Sequence, residues 1–159
     1  MPTDAVRAWA ALLRVNARLV PRFDREVQAA TGLPLTWYDV LLELAQAGDR
    51  LRMSELADRV VLSRTRVSRL VDELVRAGLV AREANPDDGR SSFALLTDEG
   101  RRRFTEAAPV YLAAIEREVG GALPAEKLAG LADTLEAILN TSPIGSSFAI
   151  DRDDDLTKP

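Results

Sequence analysis

The chain has 159 residues, 47% of them hydrophobic, a formal charge of −4, and neither cysteine nor histidine. That apolar content supports a packed core, while the two missing side chains exclude disulfides, thiolate switches, Cys or His metal sites and any Cys/His or Ser-His-Asp catalytic set. No cofactor or metal is expected. No apolar run approaches the roughly 20 residues of a membrane span, and the start, MPTDAVRAWAALLR, lacks the basic region and cleavage site of a signal peptide. A cytoplasmic location, with no membrane partner, is the expectation.

Apolar residues recur at helical spacing from Asp4 to Ala30 (Trp9, Leu12, Leu13, Leu19, Val20, Phe23, Val27), with Asn16 the polar exception on that face. Thr31-Gly32 closes this helix, because glycine takes a left-handed cap cheaply. Thr36 is placed to cap a second helix carrying Val40, Leu41 and Leu44 on one face and ending at Gly48. Leu51-Arg52 is long enough only for an edge strand. A short helix over Ser54–Val60 follows. After Val61-Leu62, Ser63 is placed to cap a longer one with Val67, Leu70, Val71, Leu74 and Val75 inward, stopped at Ala77-Gly78. Two helices joined by so short a turn cross steeply and share a core, as in a helix-turn-helix.

Leu79–Glu83 and Ser92–Thr97 read as strands flanking the turn Pro86-Asp87-Asp88-Gly89. The helical period then returns with Phe104, Ala108, Tyr111, Leu112, Ile115 and Val119. Pro109 is expected to kink this helix without ending it, since the apolar stripe stays in register. Beyond Gly120-Gly121, Pro124 suits the start of a last helix with Leu128, Leu131, Leu135 and Ile138 inward. The remainder, 142–159, is polar and expected to be disordered.

Charge is unevenly spread. Residues 50–103 hold twelve arginines and nine acids, a net +3, against −7 for the rest. A basic middle between acidic flanks points to a polyanion partner.

The element order is that of a winged helix-turn-helix, mainly α with a small β wing, extended by helices at both ends. The stretch MSELADRVVLSRTRVSRLVDELVRAGLVAREANPDDGRSSFALLTDEGRRRF resembles the MarR (multiple antibiotic resistance regulator) family almost throughout. The likeness lies in its Ser-Glu-Leu-Ala helix start, Ser-Arg-x-x-Val-x-Arg-Leu-Val-Asp-x-Leu, Gly-Leu-Val-x-Arg, Asp-x-Arg-Ser and Leu-Thr-x-x-Gly segments. LPLTWYDVLLELAQAG is similar to the family's second helix. Val61 departs from the glycine many members carry in the turn, and Gly89 from their arginine-rich tip. The implied division is a dimerisation helix in 1–34, a winged helix-turn-helix lobe in 35–100, C-terminal dimerisation helices in 101–141, and the tail. The implied function is a homodimeric transcriptional regulator of double-stranded DNA, a repressor released by a small ligand, reading a near-palindromic operator.

The helix over Ser63–Arg76 turns Arg64, Thr65, Arg66, Ser68 and Arg69 outward near its N-terminal end, and these, with Ser63 at its cap, are the expected DNA contacts of the helix. Arginine there suits bidentate contact with guanine, and Ser or Thr suits bases or phosphates. Asp72 and Glu73 are expected to point away or to pair with arginines. The resemblance makes the hairpin a wing with Arg90 in the minor groove. Asp88 is expected to orient its guanidinium by a charge-assisted bond, and Ser91 and Ser92 to donate to phosphates, with Arg82 a further backbone candidate. Arg101, Arg102 and Arg103 either touch phosphate or pair with Glu99 or Glu106. A ligand pocket between the dimerisation helices and the DNA lobe would draw on Trp9, Trp37 and Tyr38 with Arg14 or Asn16, a small aromatic acid or phenol being the expected effector. Two other classes compete: a protein-interaction module on the same fold, and an enzyme using paired carboxylates, which requires two acids converging in a pocket.

Overall fold

The computed structural model describes residues 2–60, 64–88 and 90–141, with the side chain of Arg64 excepted. The expectations placed on Val61, Ser63, Gly89 and the tail 142–159 lie outside those residues.

α1 (Asp4–Thr31) opens with the Thr3 hydroxyl accepting from the Val6 N–H and closes at Gly32, whose φ of 71° is the left-handed cap read from the sequence. α2 (Leu35–Gln46) is not capped by Thr36. Its first N–H, of Leu35, is taken by the Asp24 carboxylate of α1 at 2.7 Å, so the cap comes from another helix. β1 (Arg50–Arg52) leads into α3 (Met53–Arg59), where the Glu55 carboxylate accepts the Arg52 N–H at 3.0 Å. α4 (Arg64–Arg76) is followed by β2 (Val80–Ala84), β3 (Ser92–Leu96), α5 (Asp98–Glu118), a single 3-10 turn (Gly120–Ala122) and α6 (Ala125–Thr141). α5 runs on through Pro109, so the part of the expectation that the proline does not end the helix holds. α1 likewise contains Pro21.

The sheet has the order β1-β3-β2, all antiparallel, with Leu51 opposite Ala94 and Arg82 opposite Ala94. Alternation puts Leu51 and Ala94 in the core. On the opposite face the Arg50 guanidinium lies 3.8 Å from the Phe93 ring centre and 2.9 Å from Glu83, tying the two outer strands across the middle one.

One core joins these elements. Leu33, Val40, Leu41 and Leu44 meet Leu56 of α3, Val67, Val71 and Leu74 of α4, and Val80 of β2, all fully buried. α5 closes it with Ala107 and Ala114, and Tyr38 packs against Phe104 and Tyr111 at ring separations of 5.1 and 5.2 Å. α1 contributes only its C-terminal half, through Phe23 and Val27. The inward faces expected of the terminal helices are not buried within one chain. Trp9 is 61% exposed, Leu131 42% and Ile138 57%, and α6 buries no residue.

Candidate nucleic-acid interface

α4 has two unlike faces. Val67, Leu70, Val71 and Leu74 are buried at helical spacing, which leaves Thr65, Arg66 and Arg69 on the exposed side of its first turns. Ser68, expected to face outward with them, is half-buried. Its hydroxyl and its carbonyl both accept from Arg82 of β2, at 3.3 and 3.2 Å. Arg82 also pairs with Asp72 at 2.9 Å, so the expected acid–arginine pairing is present and joins the strand to the helix. That pairing neutralises one acid of α4 beside the exposed arginines.

The wing differs in detail from its expected form. Arg90 is exposed. Asp88, expected to hold the Arg90 guanidinium, instead accepts the Arg90 backbone N–H at 3.0 Å, an Asx-type turn that shapes the chain and leaves the guanidinium to solvent. Ser91, expected to donate to phosphate, gives its proton to the Asp88 carbonyl at 3.1 Å and accepts from the Asn85 amide at 2.8 Å. Sequence reasoning missed Asn85. An asparagine ahead of Pro-Asp is a turn signal, but its burial is not visible in a pattern. Between α3, α4 and the wing lies a hollow of about 270 Å³ lined by two arginines, Arg82 and Arg90, and four serines, Ser54, Ser68, Ser91 and Ser92.

Arg101, Arg102 and Arg103 all have partners within the chain. Arg101 meets Asp49, Arg102 meets both Glu99 and Glu106, and Arg103 donates to the Thr31 carbonyl at the end of α1 at 2.8 Å. The pairing alternative for this run therefore holds for Arg102, and Arg103 serves as a cap across helices.

The five candidate pocket residues are not gathered in one chain. Tyr38 is in the aromatic core and Trp37 lies against it, while Trp9, Arg14 and Asn16 lie exposed on the projecting half of α1. Trp9 stands about 21 Å along the helix from the Phe23 level at 1.5 Å per residue. Burial, with Tyr111 and Asp39 adding to it, pushes the Tyr38 phenol up to about 12, so it stays a neutral hydroxyl. Tyr111 is raised for the same reason, with Asp39 adding to it.

A helix pair followed by a two-stranded wing is the winged helix-turn-helix class. A family model described as the MarR family matches residues 31–91. The HTH-type transcriptional regulator YkoM of Bacillus subtilis (strain 168) is 30% identical over 112 residues, 70% of each chain. Among solved structures, the MarR family transcriptional regulator Sco3205 of Streptomyces coelicolor, determined in complex with DNA, superimposes with a TM-score of 0.81 at 30% identity over 92% of this chain and 94% of that one. CouR of Rhodococcus jostii RHA1, determined bound to p-coumaroyl-CoA, gives 0.71 at 28% identity over 83% and 91%. The chain belongs to the MarR family, which is one of transcriptional regulators and not of enzymes. No helix among the described residues is long and apolar enough to cross a membrane.

Proposed function

We propose that the chain acts as a homodimer that binds a near-palindromic operator in double-stranded DNA, α4 entering the major groove and the wing the adjacent minor groove. The observation that carries this reading is the division of α4: its apolar side is spent on the core, and its opposite side presents Thr65, Arg66 and Arg69. Arg64, next in line, extends that series in the sequence. Arg90 at the wing is drawn to the negative potential of a narrow groove. Asp88 and Ser91 act within the wing, and Ser68 through its contact with Arg82. Twofold pairing of the terminal helices would set two recognition helices about 34 Å apart, one DNA turn. The regulator Sco3205, similar over nearly its whole length, was solved with DNA, which supports the partner.

In this reading the lobe in 35–100 binds DNA, and residues 1–34 and 101–141 pair the two copies. Regulation is repression released by a small ligand. CouR, a relative of the same fold, holds an aromatic acyl thioester. A ligand seated where α1 of one copy meets the aromatic core around Tyr38 would weaken DNA binding by its differential affinity for a spacing of the lobes that does not fit.

The test is fluorescence anisotropy on the chain's own upstream promoter DNA at several salt concentrations, with random DNA as competitor. Affinity should fall steeply with salt, by a log-log slope of about 0.9 per phosphate contacted. Arg90→Ala should weaken binding by about 1–3 kcal/mol, and Arg69→Ala should weaken it or relax sequence preference. Salt-insensitive binding, or none beyond random DNA at every promoter fragment tried, would favour an interaction module on the same fold.

A further inference from the structure

We infer that Asn85 is the positioning residue of the wing, locking its turn so that Arg90 is held ready before DNA arrives, and that Ser91 belongs to this lock and not to the DNA contact. The inference rests on the DNA-binding reading above.

Asn85 is the buried polar residue among the described residues, 4% exposed, although it sits in a surface hairpin. All its polar groups are used. Its Nδ2 donates to the Ser91 hydroxyl at 2.8 Å and its Oδ1 accepts the Asp87 N–H at 3.1 Å. Its backbone N–H donates to the Ser91 carbonyl at 3.1 Å and its carbonyl accepts the Asp88 N–H at 3.3 Å. Ser91 completes the ring by giving both its N–H, at 2.9 Å, and its hydroxyl proton, at 3.1 Å, to the Asp88 carbonyl. Asp88 then takes the Arg90 N–H on its carboxylate.

Two consequences follow from the chemistry of these groups. A serine hydroxyl has one proton, and a phosphate oxygen only accepts, so Ser91 has nothing to give a phosphate while the ring is closed. Asn85 is buried with its side chain bonded to Ser91 and Asp87, so its amide ties the strand entering the turn to the strand leaving it instead of facing solvent. Arg90 sits inside that closed ring, with its backbone direction already set. Holding a contact residue in its bound geometry removes an ordering cost from association. Alanine at position 85 deletes both side-chain bonds, leaving the Asp87 N–H without its acceptor and the Ser91 oxygen without the amide that donates to it, so the wing samples other shapes and Arg90 is no longer delivered.

The experiment is a double-mutant cycle on the full chain, with Arg90→Ala, Asn85→Ala and both, binding read by anisotropy on the upstream promoter duplex. Each single change should weaken binding by about tenfold, and adding Arg90→Ala to Asn85→Ala should cost no more than about a further threefold, because coupled residues are not additive. A full tenfold loss from Arg90→Ala in the Asn85→Ala background overturns the lock. If Asn85→Ala folds poorly, Ser91→Ala breaks the same ring while keeping the buried asparagine and the bond it accepts from the Asp87 N–H, and should show the same non-additivity with Arg90→Ala. Amide hydrogen exchange without DNA gives the second arm. The Asp87 and Ser91 amides should exchange faster in Asn85→Ala while those of α2 and α4 do not change, and unaltered wing exchange overturns the lock. If the unmutated chain binds no duplex, the DNA reading fails, and the exchange arm still decides whether Asn85 holds the wing.

Discussion

Replacing Gly100 by alanine is expected to destabilise the chain by about 3 kcal/mol, the upper end of what overpacking costs in a close-packed interior. The thermal midpoint should fall by roughly 10 °C for a chain of this size. Gly100 lies in the first turn of α5, where a Cβ would stand 2.0 Å from the Leu79 carbonyl oxygen and 2.9 Å from Leu96 Cδ1. The leucine methyl can turn away, but the carbonyl cannot. Leu79 O is held by the Thr97 N–H at 3.2 Å, and Thr97 is itself fixed at both ends of its hydroxyl, accepting from the Gly100 N–H at 3.0 Å and donating to the Gly78 carbonyl at 2.8 Å. The helix start, the end of β3 and the turn after α4 are therefore locked by one threonine, and the glycine lets them approach. This gives the Leu-Thr-x-x-Gly segment its physical reason. Differential scanning calorimetry of Gly100→Ala against the unmutated chain measures it; an unchanged midpoint would mean that α5 sits farther from Leu79 than the structure places it.

The same junction shows what a sequence can and cannot disclose. The helical period of Val67, Leu70, Val71 and Leu74 announced both the core face of α4 and, by subtraction, its exposed arginines, although Val75, read as inward with them, is 36% exposed at the edge of that face. For Arg102 the sequence left phosphate contact and pairing with Glu99 or Glu106 both open, and the structure pairs it with both acids. What the pattern could not say was where a polar side chain finds its partner when that partner is distant in sequence. Asp24 caps α2 from α1, Arg103 caps α1 from α5, and Arg82 takes the Ser68 hydroxyl that the helical wheel had pointed at DNA. Ser91 and Asp88 were assigned to DNA and to the Arg90 guanidinium because a turn sequence does not show which of its hydrogen bonds are satisfied internally. The stripes of α1 and α6 were legible as apolar, but an apolar stripe does not reveal whether it is covered by its own chain. Leu131 and Ile138, read as inward, are left in the open.

Those open stripes carry the second large expected effect. Trp9→Glu is expected to convert a dimer to a monomer and to weaken operator binding by about a hundredfold or more, because two linked recognition helices gain 10²–10⁴ in avidity over one. Val6, Trp9, Leu13 and Val20 are 41–61% exposed along one side of α1, and Leu123, Leu131, Ile138 and Leu139 are 39–57% exposed at and along α6. An apolar surface of this extent is uncommon on a soluble monomer, and a second copy can supply a matching one by twofold symmetry. A tryptophan in an interface is among the side chains whose loss costs most, and a carboxylate in its place between two copies would be buried without a partner. Leu131→Glu tests the α6 side in the same way. Light scattering after size exclusion should give a dimer for the unmutated chain and a monomer for both variants, with the helical circular dichroism of the core retained, since Phe23, Val27 and the residues of α2, α4 and α5 hold that core within one chain. A monomeric unmutated chain would remove the dimer, and a variant that stays dimeric would move the seam to another face. The two readings are separable because Trp9 is far from α4: if Trp9→Glu lowers operator affinity while the protein remains dimeric, the loss has passed through the lobe spacing that a ligand is proposed to shift.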